Sequence, residues 1–212
     1  DLTASDTEPV EDETTATLLG SLAEGDAVDR QRAALALVDA EGDADAISAG
    51  LAAAALEDDH ADVRQFAVEA LGKRGGDVAL ETARHALDDD DPWVRAEAVV
   101  ALDRRAREEH AAIVADALAD DHHAVRRNAL ISLFKLRGED AAEDLLAHCD
   151  DDSERVREWA AHLLAGVESD AATQRLQALA AEDDSQIVRS TATTALQTDA
   201  RAFRRRSEER RV

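Results

Sequence analysis

The feature that most constrains this chain is a segment that returns every 31 or 32 residues. Five stretches share an acidic pair, then Val-Arg, then Ala-x-x-Ala-Leu or a close variant. They are DDHADVRQFAVEAL (58–71), DDDPWVRAEAVVAL (89–102), DDHHAVRRNALISL (120–133), DDSERVREWAAHLL (151–164) and DDSQIVRSTATTAL (183–196). The recurring valines are Val63, Val94, Val125, Val156 and Val188; Arg64, Arg95, Arg126, Arg157 and Arg189 follow them. A weaker sixth copy precedes these, with Asp29, Arg30, Ala33, Ala36 and Leu37 in register if the residues around Gly42 to Ala44 form a longer link. Self-similarity at such a period marks a repeat architecture.

Each period has room for two helices. The second carries Val, Ala, Ala and Leu at offsets 0, +4, +7 and +8, a stripe of 3.6-residue periodicity. The first ends just before the acidic pair, as in VALETARHAL (78–87), where Leu80, Ala83 and Leu87 share a helical face. The acidic turn between them offers side-chain oxygens to cap the second helix. Pro92 falls near a first helical turn, where its missing N–H costs little. Gly72 and Gly138 fall near the ends of second helices, where a positive φ is expected. Hydrophobic residues make up 45% of the chain and aromatics 2%, a set suited to close-packed helices rather than a β-sandwich. No single helix buries its stripe, so the hairpins must stack. The expected fold is all-α: a right-handed α-α superhelix of about six two-helix repeats of roughly 31 residues.

The acidic turn, the Val-Arg pair and the Ala-rich helix ending Ala-Leu-Gly resemble the HEAT-like repeats of the phycobilisome-lyase type. The resemblance covers about residues 45–198 strongly and 13–40 weakly. It implies a HEAT-type solenoid whose second helices line the concave face. Proteins that share such repeats include scaffolds, chromophore lyases and a metal-dependent hydroxylase. The hydroxylases carry His-Glu dipeptides on their helices, and this chain has none.

The recurrent arginines, Arg64, Arg95, Arg126, Arg157 and Arg189, stand at a fixed offset from the Asp pair. That spacing predicts an internal ladder, each guanidinium bonding turn carboxylates and carbonyls of its own or an adjacent repeat. Positions beside the apolar stripe vary from repeat to repeat, as a surface free of packing constraints would. Phe66, Glu97, Asn128, Ile131, Trp159 and His162 are the expected partner-binding residues on the concave face. The seven histidines lack the spacing of a metal site, and Cys149 takes a position held elsewhere by Leu87 or Leu118, so it reads as a small core residue. Neither a phosphate loop nor a serine elbow is present. No catalytic residue, metal or cofactor is expected. The function read from these features is a non-catalytic scaffold or adaptor for a partner protein. The alternative is a lyase-type accessory holding a tetrapyrrole or similar cofactor in the same groove.

A formal net charge of −24 disfavours nucleic acid and anionic membrane surfaces as partners. Lys occurs only at Lys73 and Lys135, and abundant acid with so little lysine resembles the proteins of salt-accumulating microbes, here a halophilic archaeon. One cysteine, the absence of a signal-peptide pattern and the lack of a long apolar run suggest a cytoplasmic protein, expected to be monomeric. The first residue is not Met, which reads as a trimmed or processed N-terminus. Residues 1–12 read as an acidic disordered tail, 13–198 as the solenoid and 199–212 as an Arg-rich C-terminal tail.

Overall fold

The computed structural model describes residues 14–209, so the acidic segment 1–12 lies outside it. The described residues are helical, with short turns and no strand. The chain divides into two compact units, residues 1–107 and 108–212.

Unit 1 holds three hairpins: α1 (Thr15–Glu24) with α2 (Ala27–Ala36), α3 (Ala44–Glu57) with α4 (Ala61–Arg74), and α5 (Asp77–Ala86) with α6 (Pro92–Ala106). The first helices pack in the order α1, α3, α5, and the second in the order α2, α4, α6. Unit 2 repeats the plan with α7 (Ala111–Asp116) and α8 (His123–Arg137), α9 (Ala142–Ala147) and α10 (Glu154–Leu164), α11 (Asp170–Glu182) and α12 (Gln186–Leu196). The first helices α7 and α9 end in 3-10 turns, Ala117–Ala119 and His148–Asp150. A last helix, α13 (Ala200–Glu209), carries the Arg-rich segment. The architecture is an all-α HEAT-type solenoid.

The recurrent valines explain the stacking, because Val63, Val94, Val125, Val156 and Val188 are all buried. The alanines one turn later, Ala67, Ala98, Ala129, Ala160 and Ala192, are completely enclosed. Their small side chains let successive second helices approach closely. In α5 the buried face is Ala79, Ala83 and Ala86, while Leu80 and Leu87 are half-buried, so the core runs one residue away from the expected leucine face.

Glycine use differs from the expected C-terminal role at one position. Gly72 lies inside α4, and a Cβ there would meet the Cβ of Ala101 at 2.9 Å. It permits the α4–α6 approach; the chain leaves α4 through Gly75, at φ 82°. Gly138 does end α8 with a positive φ of 58°.

Two sets of arginines tie the repeats together. The first belongs to the acidic turns. Arg64 Nε and Nη2 donate to both oxygens of Asp89 at 2.8 Å, and Nη1 donates to the carbonyl of Asp58 at 2.9 Å. Arg30 does the same with Asp58, Arg126 with Asp151 and Arg157 with Asp183. Arg95 and Arg189 donate to carbonyls of their own turns, Asp89 and Asp90 for one, Asp183 and Asp184 for the other. The leading aspartate has a second task. Asp58, Asp89, Asp151 and Asp183 each accept the backbone N–H two residues on, which shapes the turn entering the second helix.

The second set acts at the other end. Arg74 donates to the carbonyls of Leu37, Val38 and Ala40 at 2.7, 2.9 and 3.2 Å, beyond the end of α2. Arg105 donates to Gly72 at 2.9 Å and to Lys73, near the end of α4. Helix C-termini present carbonyls without intrahelical partners and a partial negative charge, and a guanidinium satisfies both. In unit 2, Arg204 of α13 donates to the carbonyl of Gly166 at 2.6 Å and pairs with Glu139.

Candidate functional site

The six residues expected to bind a partner do not share one environment. Phe66 on α4 is only 4% exposed and is a core residue, so its ring is withdrawn from any docking surface. Its sequence position gives no hint of this, since it has the same offset from Val63 as Trp159 has from Val156. Glu97 on α6 is half-buried. Burial, and after it the carboxylate of Glu69, push its carboxyl up to about 7, against the pull of Arg104 and Lys73. Lys73 itself bonds Glu69 at 2.6 Å, so one of these two cations is already committed. Phe66 and Glu97 belong to unit 1.

The other four belong to unit 2 and lie on two helices that pack side by side. α8 presents Asn128 and, one turn later, Ile131; α10 presents Trp159 and His162. Ile131 and Trp159 rest on the core formed by Leu130, Phe134, Leu145, Val156, Ala160 and Leu164, and both remain partly exposed. His162 is exposed, and its ring meets Trp159 edge-on at 5.3 Å. On its other side His162 meets Phe203 of α13 at 5.1 Å, and Phe203 meets Phe134 at 5.9 Å. The result is a run of rings from α10 to α13 in edge-to-face contact, the geometry aromatic pairs prefer. The sequence reading missed Phe203 because it fell in the Arg-rich segment. Its signal was the apolar residue at the centre of RAFRRR.

Charge is distributed unevenly around this face. α8 contains no Asp or Glu but carries Arg126, Arg127, Lys135 and Arg137; α12 contains no Asp or Glu either. Asn128 accepts hydrogen bonds from Arg127 Nε and Nη2 at 3.2 and 3.1 Å. The turn aspartates are held by the ladder instead. Burial works to raise the Asp58, Asp89 and Asp151 carboxyls, but the hydrogen bonds from Arg30, Arg64 and Arg126 and from the turn N–H groups leave all three below the ordinary carboxylate range. At Asp183 the bond from Arg157 is itself the largest influence and has the same outcome.

Other chemistry has little support. Cys149 is 1% exposed, donates to the Leu145 carbonyl at 3.4 Å, and burial pushes its thiol up to about 11. A thiol so held is a poor nucleophile at neutral pH. Among the described residues no group of His, Cys, Asp and Glu converges as a metal site, and no helix is long and apolar enough to cross a membrane.

A search of curated proteins found no match. Among solved structures, YibA of E. coli aligns with a TM-score of 0.60 at 18% identity, over 87% of this chain and 81% of that one. An engineered protein aligns with a TM-score of 0.52 at 20% identity, over 91% of this chain and 97% of its own. A structure of the CpcE and CpcF complex of phycocyanin lyase from Nostoc gives 0.46 at 17% identity, over 93% and 98%. The first two likenesses concern the fold alone. Family models for HEAT repeats match residues 15–103, 48–134 and 116–197, and the chain accordingly belongs to the HEAT-repeat family.

Proposed function

We propose that this protein is a non-catalytic scaffold that binds a partner protein on the concave, second-helix face of unit 2, through Asn128, Ile131, Trp159 and His162. The observation that carries the reading is Trp159. In a chain with 2% aromatics, this ring sits partly exposed on the core, flanked by exposed His162 and by Ile131 on the adjacent helix. Partly exposed aromatics over a packed base are the usual anchors of protein interfaces. HEAT-repeat solenoids in general offer extended surfaces assembled from successive repeats, which suits an adaptor. Phe66 is core packing of unit 1 and no part of this site, and Glu97 would contribute a separate contact in unit 1.

The test is affinity capture from lysate at native salt, wild type against an Ile131→Ala, Trp159→Ala double variant of unchanged helicity. A protein retained by the first and lost by the second is the expected outcome. Identical captures sink the reading. Abundant acid with Lys only at Lys73 and Lys135 supports a halophilic archaeal source, and a single cysteine fits a cytoplasmic location. Helical circular dichroism that is the same in molar salt and in very dilute buffer contradicts that source.

A further inference from the structure

The ladder shows how this chain handles a buried guanidinium. Arg30, Arg64, Arg126 and Arg157 each receive a carboxylate at 2.6–2.8 Å. On α8, Arg137 likewise meets Asp144 at 3.1 Å. Arg127 breaks the pattern. Its guanidinium is partly buried, yet its hydrogen bonds go to the neutral side-chain oxygen of Asn128. The charged groups that act on it are cationic: burial, and then Arg155, lower its affinity for its proton. His123, near the start of the same helix, is pushed down by burial and by His122, Arg127, Arg126 and Arg155. Arg155 is 57% exposed and meets Glu158 at 3.7 Å, a carboxylate whose own side chain is 26% exposed.

A desolvated cation without a counter-charge is costly, and this chain has 48 Asp and Glu from which to supply one. Among the described residues no carboxylate bonds Arg127. The position faces the candidate binding surface: Ile131 is one helical turn along α8, and α10 with Trp159 packs alongside. A planar guanidinium fixed by Asn128 presents its remaining N–H groups in the fork that suits a carboxylate. The apolar surface next to it suits a side chain from the same ligand. One guanidinium fork beside an apolar surface matches a single carboxylate and an apolar side chain of a peptide; a nucleic acid would bring a run of phosphates against the same net charge of −24.

We propose that Arg127 and Arg155, with Ile131 and Trp159 beside them, form a docking site for an acidic peptide segment of the partner protein, which sets a carboxylate on Arg127 and an apolar side chain on Trp159. This rests on the scaffold reading and adds the chemistry of what is recognised.

The experiment uses the full chain with Trp93→Phe, which leaves Trp159 as the only tryptophan. A random peptide display library is panned against it at fixed salt, and recovered peptides are titrated by Trp159 fluorescence. The expected peptides carry Asp or Glu three or four residues from an apolar side chain. Their affinity falls about tenfold or more in Arg127→Gln and returns in part in Arg127→Lys. The unfolding midpoint of Arg127→Gln stays at or above that of the parent, since the substitution removes an uncompensated charge; a lowered midpoint marks a structural role and overturns the inference. Recovered peptides that need Trp159 but lack acid, or ignore Arg127, overturn it while leaving the scaffold reading intact. Failure to recover any peptide overturns this inference, and the lysate capture then decides the scaffold reading by itself. A single-stranded DNA oligonucleotide that binds with the same Arg127 dependence, and more tightly than any peptide, makes the face a nucleic-acid surface and also overturns it.

Discussion

Unit 1 and unit 2 meet the same electrostatic need at the C-terminal ends of their second helices by different means. In unit 1 the need is met inside the repeat. Eleven residues after the recurrent valine stand Arg74 and Arg105, reaching back to carbonyls just beyond the end of α2 and near the end of α4 respectively. In unit 2 the same register holds Leu136 and Val167, which have no charge to offer. At the end of α10 the cation comes from α13, whose Arg204 reaches the Gly166 carbonyl while Phe203 packs against Phe134. A capping interaction encoded in each repeat is modular. One delivered by a single terminal helix makes the end of unit 2 depend on a segment outside the repeat pattern. The acidic-turn ladder, by contrast, is common to both units.

The largest effect tests what the units share. Arg64→Ala strands Asp89, whose side chain is 10% exposed, and Arg126→Ala strands Asp151 at 7%. Each should cost about 3–5 kcal/mol, read by chemical denaturation with hydrogen exchange assigning the loss to its own unit. A large loss in one unit and a negligible one in the other breaks the comparison at its root. Because the aspartates are held below their ordinary range, this stabilisation is complete above the unfolded carboxylate range. It fades as pH falls through the lowered folded values, so variant and wild type should converge in acid.

The next tests the dependence on α13. A Cβ at Gly166 would stand 2.5 Å from Phe134 Cζ and 2.9 Å from Phe203 Cδ1. Gly166→Ala should therefore cost about 2–3 kcal/mol and loosen unit 2 alone. A further Phe203→Leu should recover part of it. An unchanged melting curve means that α13 is not seated as described.

A smaller effect separates unit 1 from unit 2 by pH. The Glu97 carboxyl is held up to about 7, so the folded state keeps a proton that the unfolded chain releases earlier. Its contribution falls as pH rises from the unfolded value toward 7 and stays lost above it. Glu97→Gln should raise stability at pH 8 by on the order of 2 kcal/mol and change little below pH 4. A variant less stable than wild type at pH 8 contradicts this. The smallest effect concerns the modular cap. Arg105→Ala should cost about 1 kcal/mol, because its guanidinium is largely exposed, and it should leave unit 2 untouched by hydrogen exchange.

Much of this was legible in the residues. The return of Val-Arg after an acidic pair fixes the hairpins, and a constant offset between arginine and aspartate already implies that they meet. The register could not say how deep a residue beside the stripe would lie. Phe66 and Trp159 have the same offset, yet one is core and the other partly exposed. Depth there depends on the side chains of neighbouring helices, which a one-dimensional pattern does not carry. Gly72 misled for a similar reason, since its proximity to Ala101 is a tertiary fact. Arg74 and Arg105 share an offset that was visible but had no evident acceptor, because backbone carbonyls leave no mark in a sequence.

The leading aspartate of each turn has a consequence for how such a chain grows and shrinks. At Asp58, Asp89, Asp151 and Asp183 it serves its own turn through one N–H and the preceding repeat through one arginine. Removing residues 58–88, one full period, would bring Asp89 into the place of Asp58, with Arg30 upstream of it as before. The excision leaves neither an orphaned cation nor an unanswered carboxylate. Duplication of a period is equally neutral. As far as this ladder is concerned, a gene encoding the unit can therefore change its number of repeats in a single event, and the number of stacked hairpins becomes a quantity that selection can adjust in whole steps.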